Sequence, residues 1–410
     1  MPTGSSSGAL NLSGRIPELD GLRGIAIALV WIGHYFILHG GTPPGTPVAY
    51  ALALFRLHWT GVDLFFVLSG FLIGGILLDA RESSNYFRVF YTRRFFRILP
   101  LYLVCLLATL LLYALTQAGL GPRIAWLWTS EKPVPWFSYP LFLQNFWMAV
   151  RSTPGIFPIS VTWSLAVEEQ FYLTLPLLVR FLNRKALLAF LFAGIFLAPL
   201  LRTAIYFLWP GHFLAWFMLT PCRADALLLG VIGAIAMRDA RCRAWLAGKQ
   251  SLFNFVVLPV LLVGLAFFIL HRYDAFAFPM LSLGYTWMAV FYLAVLLHAL
   301  LWPASWIGAC LRWSWLRALG VVAYAAYLFH ELVLCLVQSL FWRWTRFPIA
   351  STAPQWTVTF ASVAVTLLLC RLSWVYFEKP LIRRGHRSSY AFPGVLPQPS
   401  AQPAPEFARL

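Results

Sequence analysis

The chain has 410 residues, of which 60% are hydrophobic and 11% are charged, and its mean hydropathy is +0.75. Soluble domains carry about 25% charged residues, so these values exclude an ordinary soluble domain and predict an all-α, polytopic transmembrane helical bundle. The formal net charge of +17 does not indicate nucleic-acid binding. Most of the basic residues lie in short loops beside apolar runs, where they orient spans and contact membrane lipid.

The N-terminal segment 1–14 is rich in Gly and Ser, and we predict that it is flexible. The apolar run that follows it lacks a small-residue cleavage site, so it is typical of a first membrane span rather than of a secretory signal peptide. The six cysteines are scattered and include no CxxC pair. We therefore expect no disulfide framework and no metal site.

A membrane span requires about 20 mostly apolar residues. By this rule we predict ten spans, near residues 22–39, 60–79, 98–116, 163–181, 186–208, 223–238, 252–271, 280–300, 317–341 and 355–377. An even number places both termini on one side, and the distribution of Arg and Lys predicts that this side is cytoplasmic.

Segment 136–150 is apolar but short, and it contains Pro140. Counting it as a span would place several basic loops on the outer side and weaken the positive-inside bias. We therefore predict a re-entrant or interfacial segment. On this reading residues 15–388 form one transmembrane domain, and the Pro-rich tail 389–410 is disordered.

Two ionisable residues in the first two spans are candidates for catalysis. His34 lies inside the first span, about 16 Å along the helix axis from Arg23, where a neutral imidazole would serve as a base. The alternative is a packing histidine bonded to a neighbouring helix. Asp63 begins the second span; buried acids tend to be functional, but Asp is also a favoured helix cap.

Adjacent acids, Glu168 and Glu169, lie in the apolar run 162–173. Consecutive residues on a helix point about 100° apart, so both cannot face one cavity squarely. The alternative to a catalytic role is a salt bridge to Arg223 or Arg202. The run Ala323–Leu334 adds His330 and Glu331, either as a second cavity-lining histidine or as a hydrogen bond between helices.

Three arginines, Arg93, Arg94 and Arg97, begin the third predicted span. Guanidinium groups bind phosphate in a bidentate manner, and Arg94 and Arg97 lie about one helical turn apart. This arrangement predicts a phosphate-binding site. The alternative is a plain positive-inside topology signal.

The ordered set of motifs resembles the acyltransferase-3 family of bacterial membrane O-acyltransferases, over roughly residues 15–385. The motifs are LDGLRG (Leu19–Gly24) with His34, GVDLFFVLSGFLI (Gly61–Ile73), YTRRFFRILPLY (Tyr91–Tyr102), TWSLAVEEQFYL (Thr162–Leu173), RADALLLG (Arg223–Gly230), YAAYLFHELV (Tyr324–Val333) and YFEKPL (Tyr376–Leu381). The resemblance implies about ten transmembrane helices in the bacterial cytoplasmic (inner) membrane. It further implies an acyl-CoA donor, no tightly bound cofactor and a hydroxyl acceptor, commonly a sugar. Because the chain stops after the bundle, it resembles the members without an extracellular domain.

The family's functional positions map onto Arg23, His34, Asp63, the Ser69-Gly70-Phe71 element, Arg94, Arg97 and Glu168 or Glu169. From these we expect direct acyl transfer, most simply of an acetyl group. The CoA phosphates would bind Arg93, Arg94 and Arg97, and His34 would act as general base, oriented by Asp63, Glu168 or Glu169. We assign Arg23, Ser69, Arg223, Tyr324 and His330 to the acceptor or to the developing oxyanion.

A different class of function also fits buried acids and histidines. A proton-coupled transporter or flippase of a glycolipid or polysaccharide uses such groups. Against it, the sequence lacks inverted halves and paired Gly/Pro-broken helices. Saturable CoA binding would distinguish the enzyme from the transporter.

Overall fold

The computed structural model describes residues 16–38, 45–119, 133–345 and 352–393, and all regular structure within them is helical. The expectations for 1–14 and for 394–410 lie outside the described residues. Ten long helices follow one another along the chain. They are α1 (Pro17–Leu38), α2 (His58–Asp79), α3 (Tyr86–Gln117), α4 (Thr162–Phe181), α5 (Arg184–Leu208), α6 (Phe213–Arg238), α7 (Gln250–Leu270), α8 (Met280–Leu301), α9 (Ala323–Thr345) and α10 (Thr352–Ser373, continued to His386).

All of these long helices except α4 contain, within the described residues, a stretch long and apolar enough to cross a membrane. The predicted all-α membrane bundle is therefore confirmed. The span predicted at 163–181 is α4, a helix of 20 residues. It has the length of a span, but Glu168, Glu169 and Gln170 at its middle make it less apolar than the others.

Several long helices contain π-helical turns, at Ile32–Leu38, Phe253–Val257, Met280–Gly284 and Trp374–Glu378. Short helices connect the long ones, at Pro47–Ala53, Gln144–Arg151, Ala240–Ala247, Trp306–Leu311 and Ser314–Val321. The segment predicted to be re-entrant, 136–150, forms a 3₁₀ turn at Trp136–Ser138 and then the eight-residue helix Gln144–Arg151. Eight residues rise only about 12 Å, which is too short to cross a bilayer.

Helices α2 and α6 pack together at the centre of the bundle through glycines. A Cβ atom on Gly70 would collide with the carbonyl oxygen of Leu227, and one on Gly230 would collide with that of Val67. Small residues let transmembrane helices approach closely. Gly70 therefore serves close packing, and this contact fixes the direction of the neighbouring Ser69.

Helix α1 is held in the same way against the two short helices before α9. Gly21 and Gly24 leave no room for a Cβ atom beside the carbonyl groups of Leu311 and Leu316, and Gly320 packs on the carbonyl of Asp20. Pro17 in the first turn, with Glu18 and Asp20, suits the start of a helix. This packing places Arg23 at the end of the bundle where the arginines of α3 lie.

Candidate active site

A cavity of about 280 Å³ opens between α1, α2, α3, α4, α9 and α10, and we call it the basic cavity. Its charged lining residues are Arg23, Arg94, Arg97, Glu168, Glu378 and His386. The rest of the lining is mostly apolar, with contributions from Phe65, Leu72, Ile98 and Trp374. Three guanidiniums against two carboxylates make its entrance favourable for an anion.

Arg94 and Arg97 are the cations of this cavity that lack a carboxylate partner. Neither forms an ion pair with any described residue, whereas Arg23 donates from Nη1 to Asp20 Oδ1 over 2.9 Å. The two arginines lie one turn apart on α3, so both side chains reach the same space. Their arrangement is chemically suited to a phosphate or pyrophosphate group.

Ser69, Glu168 and Tyr172 form a hydrogen-bonded cluster on the cavity wall. Ser69 Oγ donates to Glu168 Oε1 over 2.8 Å, and Tyr172 Oη lies 3.1 Å from both Ser69 Oγ and Glu168 Oε2. The bonds join α2 to α4. The cluster thus brings together two predicted site residues and Tyr172, which the sequence analysis did not select.

A second cluster of titratable groups joins α1 to α9, and we call it the histidine cluster: His34, His330, Glu331 and Ser160. His34 Nε2 lies 3.2 Å from Glu331 Oε1, and Ser160 Oγ donates to Glu331 Oε2 over 2.9 Å. The rings of His34 and His330 meet edge to face with their centroids 4.9 Å apart. The acid beside His34 is therefore Glu331, and not one of the three acids that the sequence analysis chose.

The His34 ring is oriented by the backbone of its own helix. Its Nδ1 lies 2.9 Å from the carbonyl oxygen of Val30. A carbonyl oxygen accepts only, so Nδ1 carries the proton and Nε2 is the nitrogen that can take one. The side chain keeps 22% of its surface exposed, so a small group can reach it.

The basic cavity and the histidine cluster are separated by one layer of side chains. Tyr327 and Ser164 line the cavity, and their hydroxyl oxygens lie 2.6 Å apart. On its other side the Tyr327 ring lies 5.8 Å from the His330 ring, centroid to centroid. His34 itself does not line the basic cavity, so a group bound there reaches His34 only past Tyr327.

Asp63 and Arg223 lie elsewhere in the bundle, as a buried ion pair with Asp63 Oδ1 2.7 Å from Arg223 Nη2. The Arg223 guanidinium also lies over the Tyr285 ring, 4.2 Å from its centroid. Arg202, the other cation considered for the glutamates, is buried against Asp225 at 3.0 Å. These two pairs connect α2, α5 and α6, and neither arginine lines the basic cavity.

Three further predicted residues lie in surroundings that the sequence did not indicate. Tyr324 lines the cavity, but its hydroxyl donates to the carbonyl of Ile98 over 2.7 Å. Arg93 donates to the carbonyl of Ser388 from Nε and Nη2, at 3.0 and 2.6 Å, and does not line the basic cavity. Glu169 does not line it either, and its Oε1 is buried without a hydrogen-bond partner among the described residues.

The histidine cluster is also a set of metal-ligating groups. The ligand atoms of His34, His330 and Glu331 lie within 4.8 Å of one another. Both imidazoles direct Nδ1 to a backbone carbonyl, that of Tyr327 in the case of His330, and metal-binding histidines are commonly held in this manner. The donor set suits a divalent cation, although the sequence spacing gave no such indication.

Comparison with known proteins matches residues 16–375 to a family described as an acyltransferase domain, Acyl_transf_3. A "Putative O-acetyltransferase" of Staphylococcus aureus (strain COL) is 27% identical over 93% of this chain and 60% of its own length. The "Putative peptidoglycan O-acetyltransferase YrhL" of Bacillus subtilis is 28% identical over 91% of this chain and 56% of its own length. The "O-acetyltransferase OatA" of S. aureus (strain MRSA252) is 26% identical over 96% and 60%, respectively. The chain thus spans about 60% of the length of these relatives, and no solved structure matches it.

Proposed function

Because the chain belongs to the acyltransferase-3 domain family, we propose that it is a membrane enzyme that moves an acetyl group from acetyl-CoA to a sugar hydroxyl. The observation that carries the proposal is the basic cavity. It contains two arginines without a carboxylate partner, and Tyr327 separates it from a histidine–glutamate pair. The two arginines fit the phosphates of the donor. The histidine–glutamate pair would supply a base for the acceptor.

The donor would bind with its pyrophosphate on Arg94 and Arg97, and Arg23 of α1 lines the same cavity. Guanidinium–phosphate bonds are charge-assisted, and two arginines fix the orientation of the group as well as its position. The apolar part of the cavity would hold the pantetheine arm. Its thioester end would then lie against Tyr327 and Ser164, at the boundary with the histidine cluster.

His34 would act as general base through Nε2. The acceptor oxygen attacks the thioester carbonyl carbon, its proton passes to Nε2, the carbon–sulfur bond breaks, and the proton leaves on the CoA thiol. Glu331, 3.2 Å from Nε2, would stabilise the imidazolium that forms. Ser160 holds Glu331 in place by its hydrogen bond. This assignment replaces Asp63, Glu168 and Glu169 as the acid beside the base.

The acceptor class rests on the names of relatives, one of which is called a peptidoglycan O-acetyltransferase. We propose a sugar of a cell-envelope polymer, which would approach His34 from the side away from the arginines. This direction requires the basic end of the bundle to face the cytoplasm. We therefore also propose a bacterial inner-membrane location with both termini inside.

The experiment is acetyl transfer by purified protein in lipid nanodiscs, with acetyl-CoA as donor and envelope glycan fragments as acceptors. The double variant Arg94→Ala, Arg97→Ala should raise the apparent KM for acetyl-CoA by at least tenfold, because it removes the two cavity arginines that have no carboxylate partner among the described residues. The control is Arg241→Ala, Arg384→Ala, which removes two exposed arginines and should leave KM unchanged.

Two results would contradict the proposal. The first is the absence of saturable CoA binding by folded wild-type protein, which would favour the transporter. The second is an equal change in the apparent KM for acetyl-CoA in both arginine variants, which would indicate that Arg94 and Arg97 act only as a topology signal.

A further inference from the structure

A second cavity, of about 360 Å³, lies beside the basic cavity and takes no part in the mechanism above. Its volume falls within the range of about 300–1,000 Å³ that is usual for small-molecule sites. The polar and aromatic residues of its lining are Phe71, Asp79, Arg93, Arg238, Tyr390 and Phe392. We call it the tail cavity, because residues after α10 form one of its walls.

The two cavities share a wall. Leu72 and Ile76 of α2 line both of them. On α3, Arg93 faces the tail cavity and Arg94 faces the basic cavity, as expected for consecutive residues that point about 100° apart. A ligand whose phosphates lie on Arg94 and Arg97 would therefore have its next group at the opening of the tail cavity.

The tail wall is fixed by several bonds to the start of α3. Asn85 Nδ2 donates to the carbonyl of Ser389 over 2.9 Å, and its Oδ1 accepts from the Ala391 amide over 2.9 Å. Arg93 holds the carbonyl of Ser388 and lies 5.1 Å from the centroid of the Tyr390 ring. Residues 389–393, which belong to the tail predicted to be disordered, thus form a defined part of the surface.

The side chains around this cavity are those that recognise a purine nucleoside. Tyr390 and Phe392 offer aromatic faces, and the Arg93 guanidinium adds a flat cationic surface; bases stack on both. The Asp79 carboxylate, held by Arg238 at 2.7 and 2.6 Å, can accept from an exocyclic amine. The hydroxyl of Tyr390 is buried and has no hydrogen-bond partner among the described residues.

The charges that line the tail cavity indicate whether it suits a nucleobase or a phosphate group. Arg238 is paired with Asp79 and Arg93 donates to the Ser388 carbonyl, so both cations are already bonded and the cavity suits a neutral ring better than a phosphate group. Burial raises the pKa of Tyr390, an effect that Arg93 and Arg94 oppose. The hydroxyl is therefore protonated at neutral pH and available as a donor to a ring nitrogen or to a ribose oxygen.

We propose that the tail cavity binds the adenosine portion of the acyl-CoA donor, with Tyr390 as the stacking residue. This inference rests on the proposed function, and it adds a specificity for the whole nucleotide. Acyl-CoA would be preferred over acyl-phosphopantetheine, which carries the same thioester and one of the phosphates but no base.

The experiment compares two donors on one protein preparation. Tyr390→Ala should raise the apparent KM for acetyl-CoA about tenfold, since a base stacked on an aromatic side chain typically gives an effect of this size. It should leave the KM for acetyl-phosphopantetheine unchanged. Adenosine 3′,5′-bisphosphate should compete with acetyl-CoA in wild-type protein and about tenfold less well in the variant.

Two control variants test whether an effect of Tyr390→Ala arises from loss of structure. Tyr390→Phe keeps the ring and should remain within threefold of wild type for acetyl-CoA. Tyr376→Ala removes an aromatic residue from α10 whose side chain is exposed, and it should have no effect on either donor. Because the two donors are compared within each variant, a general loss of active protein cancels.

An equal KM for acetyl-CoA in wild type and Tyr390→Ala would overturn the subsite while leaving the acetyltransferase proposal intact. The subsite would also be overturned if Tyr390→Ala changed only the stabilisation by phosphatidylglycerol in the nanodisc, because the cavity would then bind a lipid headgroup. Failure of wild-type protein to bind any CoA would instead overturn the proposed function itself.

Discussion

His34 has one proton-accepting nitrogen, and a carboxylate already lies beside it. The Val30 carbonyl fixes the proton on Nδ1, and Glu331 lies 3.2 Å from Nε2. In the proposed mechanism the acceptor hydroxyl would approach Nε2 next to Glu331. The carboxylate would favour the charged imidazole that forms when the hydroxyl loses its proton, so we expect both residues to contribute to one step.

Removal of the base should abolish most of the activity without unfolding the protein. We expect His34→Gln to lower kcat by about 10²–10⁴-fold, the usual contribution of a positioned base, and Glu331→Gln to lower it by a smaller factor. His298→Gln is the matched control, since His298 is also buried but bonds Asn254 on another side of the bundle. Wild-type turnover in His34→Gln would exclude the base role.

The same cluster predicts sensitivity to zinc. If His34 acts as a base, EDTA should leave the activity unchanged, whereas micromolar Zn²⁺ should inhibit by binding Nε2 together with His330 and Glu331. The measurement is initial rate against metal concentration, with His330→Ala as the variant that should lose the inhibition. Inactivation by EDTA and recovery with Zn²⁺ would instead make the cluster a catalytic metal site.

At the scale of elements, helix α2 lies in the middle of the bundle, and 67% of its apolar stretch is buried, against 22% for α5. It contacts α6 through Gly70 and through the Asp63–Arg223 pair. Ser69 sits on the same helix and faces the cavity. The position of α2 therefore determines the shape of the basic cavity, and the ion pair contributes to that position.

We expect Asp63 to stabilise the fold rather than to take part in proton transfer. Asp63→Ala leaves a buried, unpaired guanidinium, which costs about 3–5 kcal/mol, and it should lower the thermal midpoint in detergent markedly. Asp63→Leu combined with Arg223→Met should restore most of the midpoint and of the activity. Arg184→Ala, which breaks an exposed pair with Asp239, should change stability by about 1 kcal/mol or less.

An unchanged midpoint in Asp63→Ala with complete loss of transfer would contradict this expectation. Asp63 would then belong to the catalytic machinery, as the sequence motif suggests.

At the scale of the whole molecule, the proposed mechanism requires two substrates to meet from different sides of the Tyr327 layer. Tyr327 Oη contacts Ser164 and donates to the carbonyl of Val161 over 3.0 Å, and its ring lies 6.1 Å from that of Phe65. We expect this layer to keep water from passing between the cavity and His34. Exclusion of water protects a reactive thioester from hydrolysis.

Opening this layer should divert the enzyme from transfer to hydrolysis. We expect Tyr327→Ala to raise the ratio of acetyl-CoA hydrolysis to acetyl transfer several-fold, while Tyr327→Phe, which keeps the ring, stays near wild type. The control is Tyr324→Phe, because Tyr324 lines the cavity away from the histidines. Release of free acetate and formation of acetylated glycan are measured in the same reaction. An unchanged ratio in Tyr327→Ala would mean that the layer does not exclude water.

Hydropathy alone was sufficient to predict the bundle, because long apolar runs have few other solutions in a membrane. The partners inside it were harder to predict. His34 and Glu331 lie near opposite ends of the chain, and nothing local to either indicates their contact. Asp63 and Glu168 attract attention as buried acids, yet their partners are Arg223 and Ser69.

The arginines of α3 show a different limit. The 100° rule that separates Glu168 from Glu169 applies equally to Arg93 and Arg94. The sequence prediction nevertheless assigned both to one phosphate site, whereas they line different cavities. The rule does not indicate which residues form the cavity that Arg93 faces. That cavity is formed in part by Tyr390 and Phe392, because the segment after α10 that carries them packs against the start of α3.

The π-helical turn at Ile32–Leu38 has a consequence for how α1 can change. A π-helical turn holds one residue more than an α-helical turn, and His34 lies within it. Loss of a single residue there would let the helix rewind to regular α geometry and still cross the bilayer. The residues on either side of the turn would keep their faces, whereas the side chains within it, His34 among them, would change direction relative to Glu331. Chemical competence in this bundle therefore depends on local backbone winding, a property that neither hydropathy nor side-chain identity reveals.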